Sequence, residues 1–352
     1  MPPLDSRTTF LHEPKPPWRS GAAERVWKKI QKDLTVAGLS LLVVATIAVF
    51  LLMGLSAKAL ADNFSFEPIV VPGQTDTVAF GINNLGQIAG EYGCCVGGFA
   101  NHGFVLSGGS FTTVDIPGAT FTNATGINNA GQLAGTYGDG NTNHGFFLSN
   151  STLTTITPPG ATLTNVFGLN TAGQVVGEYF LGGVDHGFFY SGGGYTTIDV
   201  AGSNATTLRG INTAGQIVGF YSDAQNVTHG FTLSGGAVTT IDVPGSVSTY
   251  LTGINSQGDV VGTYQLVTNG PSNGFCLSNG VFTTINMPGF TNTALFGIND
   301  AGTIVGQAYN ASQFESEGVL VSVPDSSPGI WTFTGTVLAG LAIYHWRRFR
   351  SS

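Results

Sequence analysis

Between Phe64 and Val323 the apolar residues fall in short runs, each closed by a turn signal, and the runs recur in one fixed order. One copy shows the pattern. Tyr195-Thr196-Thr197-Ile198-Asp199-Val200 is rich in β-branched and aromatic residues and predicts a strand. Ala201-Gly202-Ser203, which is Pro-Gly in sister copies, breaks it. Thr206–Ile211 predicts a second strand, and Asn212-Thr213-Ala214-Gly215 a turn with Asn and Gly at positions that tolerate special dihedrals. Gln216–Tyr221 is a third strand, Ser222–Thr228 a variable loop, and His229–Ser234 a fourth strand. Gly235-Gly236 then turns the chain directly into the next Thr-Thr-Ile-Asp strand, a hairpin signal. Ile217-Val218 and Val260-Val261 pair apolar residues instead of alternating them, as in sheets covered on both faces.

Three markers keep this order in phase. The Gly of Gly-(Ile/Leu)-Asn falls at Gly81, Gly126, Gly168, Gly210, Gly253 and Gly297, in steps of 45, 42, 42, 43 and 44 residues. His-Gly-Phe begins at His102, His144, His186 and His229, and is followed by Asn273-Gly274-Phe275 and Glu317-Gly318-Val319. Thr112-Thr113-Val114-Asp115-Ile116-Pro117-Gly118 is echoed from Thr154, Thr196, Thr239 and Thr283. A unit of about 42 residues with four short antiparallel strands is the size of a propeller blade. The expected fold is therefore all-β, a six-bladed β-propeller over residues 62–323. The ends support closure. The chain enters with a lone Thr-Thr-Ile-Asp-type strand, Phe66–Gly73, and leaves with Glu317–Ser322, a His-Gly-Phe-type strand lacking its partner. Pairing of Ile69–Val71 with Val319–Val321 would complete the last blade.

Charge narrows the function. From Asp62 to Val323 there is one cation, Arg209, against fifteen carboxylates, a net of −14 with histidine neutral. Such a surface repels phosphate backbones, so nucleic acid is excluded as a partner. The chain has 52 glycines and only 9% charged residues, with the glycines at fixed phase, unlike a flexible linker. Three cysteines make no disulfide framework. Cys276 stands where other copies have an apolar residue or Thr and reads as a buried small hydrophobe. Cys94 and Cys95 are adjacent in a loop, either as a vicinal disulfide or as two thiols.

The flanks divide the chain into three parts. In residues 1–61 a basic segment (Arg25, Lys28, Lys29, Lys32) precedes the uncharged run Leu34–Ala57. Ala59-Leu60-Ala61 is a small-x-small cleavage pattern, so this part reads as a signal peptide with a long basic n-region or as an uncleaved signal anchor. Residues 324–352 carry an apolar segment, Ile330–Trp346, and end in Arg347-Arg348-Phe349-Arg350. That is a membrane anchor, transient or permanent, with its basic end in the cytoplasm. Both flanks place the repeats outside.

The tail resembles the VPDSG-CTERM class of PEP-CTERM sorting signals. Its motif is Val323-Pro324-Asp325-Ser326-Ser327, with Ser where the class has Gly, and it is followed by the apolar stretch and the cluster Arg347, Arg348, Arg350. The resemblance implies an exosortase-like processing enzyme as partner and onward sorting to the bacterial envelope or matrix. The repeats, from about Phe66 to Val323, resemble the HAF family of extracellular repeats, with Gly where the name has Ala. That family implies export and repetition and carries no catalytic residue across.

Candidate chemistry is correspondingly thin. The six-fold His position reads as a turn or hydrogen-bonding residue before a metal ligand. The recurrent Tyr92, Tyr137, Tyr179, Tyr221, Tyr264 and Tyr309 read as blade packing before sugar stacking. Asp139-Gly140-Asn141-Thr142-Asn143 alternates oxygen ligands but lacks the Gly and distant Glu of a calcium loop. Glu178 and Asp185 are an acid pair of the kind glycoside chemistry uses. No nucleophile-elbow, zincin or Walker sequence stands in the repeats. No catalytic residue, cofactor or metal is therefore expected. The expected role is a non-enzymatic surface or matrix module with an envelope or matrix polysaccharide as partner. The alternative is a secreted propeller enzyme acting on polysaccharide. The variable stretches 93–101, 138–143, 180–185, 222–228, 265–272 and 310–316 occupy one position in every unit and should gather on one face, where a ligand would bind.

Overall fold

The computed structural model describes residues 64–74, 76–93, 101–310 and 315–322. The export segment with Ala59 and Ala61, the Cys94–Cys95 pair, and the tail from Val323 through Ser327 to Arg347, Arg348 and Arg350 lie outside the described residues.

The first strand, β1 (Ser65–Ile69), joins the last blade. Blade 1 is β2 (Thr77–Ile82), β3 (Ile88–Tyr92), β4 (His102–Ser107) and β5 (Ser110–Val114). Blade 2 is β6 (Phe121–Ile127), β7 (Leu133–Gly138), β8 (Asn143–Ser149) and β9 (Thr152–Ile156). Blade 3 follows with β10 (Leu163–Leu169), β11 (Val175–Leu181), β12 (Val184–Ser191) and β13 (Gly194–Ile198). Blade 4 is β14 (Ala205–Ile211), β15 (Ile217–Ser222), β16 (Thr228–Ser234) and β17 (Ala237–Ile241). Blade 5 is β18 (Ser248–Ile254), β19 (Val260–Gln265), β20 (Asn273–Ser278) and β21 (Val281–Ile285). Blade 6 is β22 (Asn292–Ile298), β23 (Ile304–Asn310) and β24 (Glu315–Ser322), completed by β1. All pairings between these strands are antiparallel, and the six four-stranded sheets form a six-bladed β-propeller.

The Thr-Thr-Ile-Asp strand is the outermost strand of the preceding blade, so a blade begins at the second strand of the repeat as read. Closure by the two ends holds, with a corrected register. Val319, Leu320 and Val321 pair with Pro68, Glu67 and Phe66, and Ile69 faces Gly318. Val70 and Val71 lie beyond the strand, because the Pro72-Gly73 turn needs Val71 O to accept from Gln74 N (3.0 Å). In blade 3 the variable stretch is no loop at all. β11 and β12 pair out to Leu181 and Val184 across a Gly182-Gly183 turn.

The marker residues build the contacts between blades. The Phe of His-Gly-Phe (Phe104, Phe146, Phe188, Phe231, Phe275) and its counterpart Val319 are fully buried. Six small apolar clusters form in place of one core, one at each blade junction. The Gly of the same marker lets the next blade's innermost strand lie close: a Cβ at Gly230 would sit 2.4 Å from Leu251 Cδ1. The Gly of Gly-Ile-Asn does the same near the axis, where a Cβ at Gly253 would meet Phe296 O at 2.6 Å. Cys276 corrects one expectation. It is only partly buried, packed at the margin of the blade 5–6 cluster, where desolvation pushes its thiol up to about 12.

Candidate functional site: the loop face and the axial well

Antiparallel strands that run in order from the axis outward send their connections to alternate ends of the ring. The Asn-x-x-Gly turns and the Gly-rich hairpins lie at one end. The variable second-to-third-strand connections and the blade-to-blade turns share the other, which we term the loop face.

At the first end the Gly-Ile-Asn asparagines form a ring around the axis. Five of these asparagines accept from two backbone N–H groups of their own turn, and Asn255 from one (Asp259 N, 2.8 Å); Asn212 Oδ1 takes Ala214 N (3.1 Å) and Gln216 N (3.0 Å). Its amide donates to the side chain of Gln216 (2.8 Å) and to the carbonyl of the next blade's asparagine. The last set closes on itself: 83 to 128, 170, 212, 255, 299 and back to 83, at 3.0–3.3 Å. Turn chemistry was the expectation; the ring was not, because nothing local in Gly-Ile-Asn shows where the second N–H points. An open depression on the axis is lined by this ring and by the Ile or Leu before each asparagine, and is rimmed by Asn84, Asn129, Thr171, Thr213, Ser256 and Asp300. Burial pushes the Asp300 carboxyl up, but bonds from Ser256 N (2.9 Å) and Asn84 Nδ2 (2.6 Å) outweigh it and hold it below the usual range.

The loop face carries the histidines. His102 Nδ1 donates to Asp115 (2.8 Å), His186 to Asp199 (2.8 Å) and His229 to Asp242 (2.7 Å). Tyrosines 92, 137, 179 and 221 lie with ring centroids 5.3 Å from the His rings, and their hydroxyls meet threonines of the outermost strand. Both marker residues thus brace the blade's outer edge. In blade 2 the Asp position is Thr157, and His144 instead turns Nε2 to Asp139 (3.1 Å). Asp139 Oδ1 accepts from Asn141 N and Thr142 N, bonds that hold its carboxyl down at about 2. In blade 5 both partners change together, to Asn273 and Asn286, which remain bonded at 2.9 Å. In blade 6 His becomes Glu317 and the Asp position becomes Val70. In blades 5 and 6 His and Asp change together, so those copies hold the pairing signal as covariation, which reading each marker alone misses; blade 2 departs from it by keeping His144 beside Thr157.

Each innermost strand has a bulge at one position, occupied by Phe80, Thr125, Phe167, Arg209, Thr252 or Phe296. Equivalent residues of neighbouring blades touch only near the axis, and these do. Phe80 and Phe296 have centroids 5.3 Å apart, and the Arg209 guanidinium lies 3.7 Å over Phe167. They plug the ring midway. Above them, toward the loop face, Asn123, Asn165 and Tyr250 remain partly exposed although they sit on innermost strands. Both faces of each such strand are covered by neighbouring blades, so their exposed side is the one toward the axis, on the loop-face side of these six residues, a space we term the axial well.

The expected acid pair is brought together. Glu178 pairs opposite Gly187 and Phe180 opposite Asp185, so Glu178 and Asp185 are diagonal neighbours on one sheet face. Asp185 is raised by burial and by the nearby Glu178 charge. Glu178 itself is engaged: Asn165 Nδ2 donates to Oε1 (3.0 Å) and Thr207 Oγ1 to Oε2 (2.6 Å). Glu91, buried on β3 and bonded by Asn101 Nδ2 (3.1 Å), is raised to about 7 by desolvation, which that bond only partly offsets.

No family model matches the chain, and no curated protein matches it. Among solved structures it is similar to a mutant of the Aleuria aurantia lectin, at 12% identity over 73% of this chain and 98% of that one (TM-score 0.45). It is similar to TolB from Acinetobacter baumannii at 11% identity over 72% and 65% (0.45). The β-propeller domain of the Trilobed protease from Pyrococcus furiosus matches at 10% identity over 74% and 99% (0.44).

Proposed function

We propose that the chain is an exported, non-enzymatic module of the cell surface or extracellular matrix. Its loop face binds envelope or matrix polysaccharide, and an exosortase-type enzyme sorts it by the 324–352 tail. The observation that carries the binding part is the separation of repeated from variable positions. The repeated Phe, Gly, Asn and Thr residues serve packing or turns, while the variable connections join strand ends at the loop face. Export and sorting rest on the two flanking segments of the sequence.

The test of binding replaces the exposed residues 224–226 and 266–269, outside the paired strands, with Gly and Ser. The variant should keep its thermal midpoint and lose retention on the host's extracellular polysaccharide. Undiminished retention would overturn the assignment of the loop face. Release of reducing ends or unsaturated products during incubation would overturn the non-enzymatic part. Intact mass of the protein recovered from its host tests the sorting. A chain beginning at Asp62 and ending near Asp325 is expected, and a chain retaining Ile330–Arg350 would refute it.

A further inference from the structure

We propose that the axial well above Arg209 holds one neutral saccharide unit, with the Arg209 guanidinium as its principal donor and Asp185 as an acceptor at the mouth. This rests on the polysaccharide-binding reading and assigns it a pocket.

Arg209 is the only Lys or Arg among the described residues, and it stands at a bulge where other blades have Phe or Thr. Its guanidinium carbon lies 3.7 Å from the Phe167 centroid and 5.3 Å from that of Phe220. Stacking occupies the faces of the group and leaves its edge, which carries the donors. None of its N–H groups has a hydrogen-bond partner among the described residues, and Nε is shut off from solvent. A charged group set inside a fold with its donors unused is costly and calls for an explanation. The depression at the Asn-ring end does not reach it, so the partly exposed edge faces the well.

The surroundings select the ligand class. Glu178 acts electrostatically on Arg209 but has both oxygens bonded, and Asp185 adds a second carboxylate nearby. The Glu178 charge beside the guanidinium, with Asp185 diagonal to Glu178, disfavours an anion. A neutral polyhydroxylated ring suits donors on Arg209 and Asn165, an acceptor on Asp185, and an aromatic wall. Tyr250 supplies that wall, packed edge-on to Phe220 at 4.9 Å.

Binding of the full-length protein to neutral and acidic fractions of the host's extracellular polysaccharide decides the matter, with Arg209→Gln and Asp185→Asn compared with the parent. Thermal midpoints report whether each variant is folded, and Asp185, partly exposed, is the safer of the two. The expected result is preference for the neutral fraction, weakened at least about tenfold (1.4 kcal/mol) by either substitution. Equal binding by folded variants would place the ligand elsewhere on the loop face and overturn only this inference. Preference for the acidic fraction, lost in Arg209→Gln, would overturn the neutral class. Binding of neither fraction by the parent would remove the polysaccharide reading and the pocket with it.

Discussion

Thr164 shows what one missing N–H does. In five blades a backbone N–H at the blade-to-blade turn donates to a threonine hydroxyl six residues on: Val71 to Thr77, Ile116 to Thr122, Val200 to Thr206, Val243 to Thr249 and Met287 to Thr293, at 2.9–3.2 Å. In blade 3 the donor position is Pro158, which has no N–H, and the buried Thr164 hydroxyl has no partner among the described residues. Thr164→Val should therefore stabilise the protein by about 1 kcal/mol, whereas Thr122→Val, which orphans the Ile116 N–H, should destabilise it by a similar amount. Urea denaturation of both variants checks the opposite signs. Glu91 makes a second prediction at this scale. Its folded-state value of about 7 lies above the ordinary 4.5, so between these values the folded protein holds a proton the unfolded chain has released. Stability should thus fall as pH rises from about 4.5 to 7 and level off above, by roughly 3 kcal/mol from this group. Glu91→Gln should flatten that slope, gaining stability at pH 8 and little at pH 4, as denaturation midpoints at the two pH values would reveal.

At the scale of the element, the His–Asp clasp ties the third strand of a blade to the end of its fourth. His229 is the best-held case, with Asp242 at 2.7 Å and Asp223 at 3.3 Å. The bond to Asp242 raises its pKa most, burial opposes, and Asp223 adds to the rise. An NMR titration should place the His229 midpoint above the ordinary histidine range, and Asp242→Asn should lower it more than Asp223→Asn. Because the folded value is raised, the clasp stabilises fully below pH 6.5 and fades as pH climbs through the folded midpoint. The elements themselves were legible in sequence, since β-branched runs and Gly or Asn turns act locally; β14 and β15 fall within one residue of the reading. The clasp was legible only by comparing copies, where His and Asp disappear together in blades 5 and 6. The axial plug was not legible. Phe80, Thr125, Phe167, Arg209, Thr252 and Phe296 share no chemistry, and a bulge that aims them inward leaves no mark on the apolar pattern.

The described residues form a ring, and its stability depends on the joint where their two ends meet. Five residue pairs join β1 to β24, and the junction of blades 6 and 1 adds bonds of its own. Asn84 Nδ2 donates to Asp300 (2.6 Å), Asp300 N to Asn84 Oδ1 (2.9 Å), and Asn299 Nδ2 to Asn83 O (3.2 Å). These last bonds orient the blades, but only β1 covers the outer edge of β24. Without it that edge presents unpaired N–H and C=O groups and uncovers Val319 and Val321, both otherwise fully buried. The six clusters each span a junction, so a break at one leaves five intact. Deleting residues 64–74 should therefore lower the denaturation midpoint, broaden the transition as blade 6 unfolds ahead of the rest, and promote edge-to-edge association at high concentration. A synthetic peptide of residues 64–74 added in trans should restore the midpoint by re-forming the β1–β24 ladder, while a peptide carrying Ile69→Asp should not. An unchanged midpoint after the deletion would mean that the Asn ring and the Asn84–Asp300 bonds alone hold the ring shut.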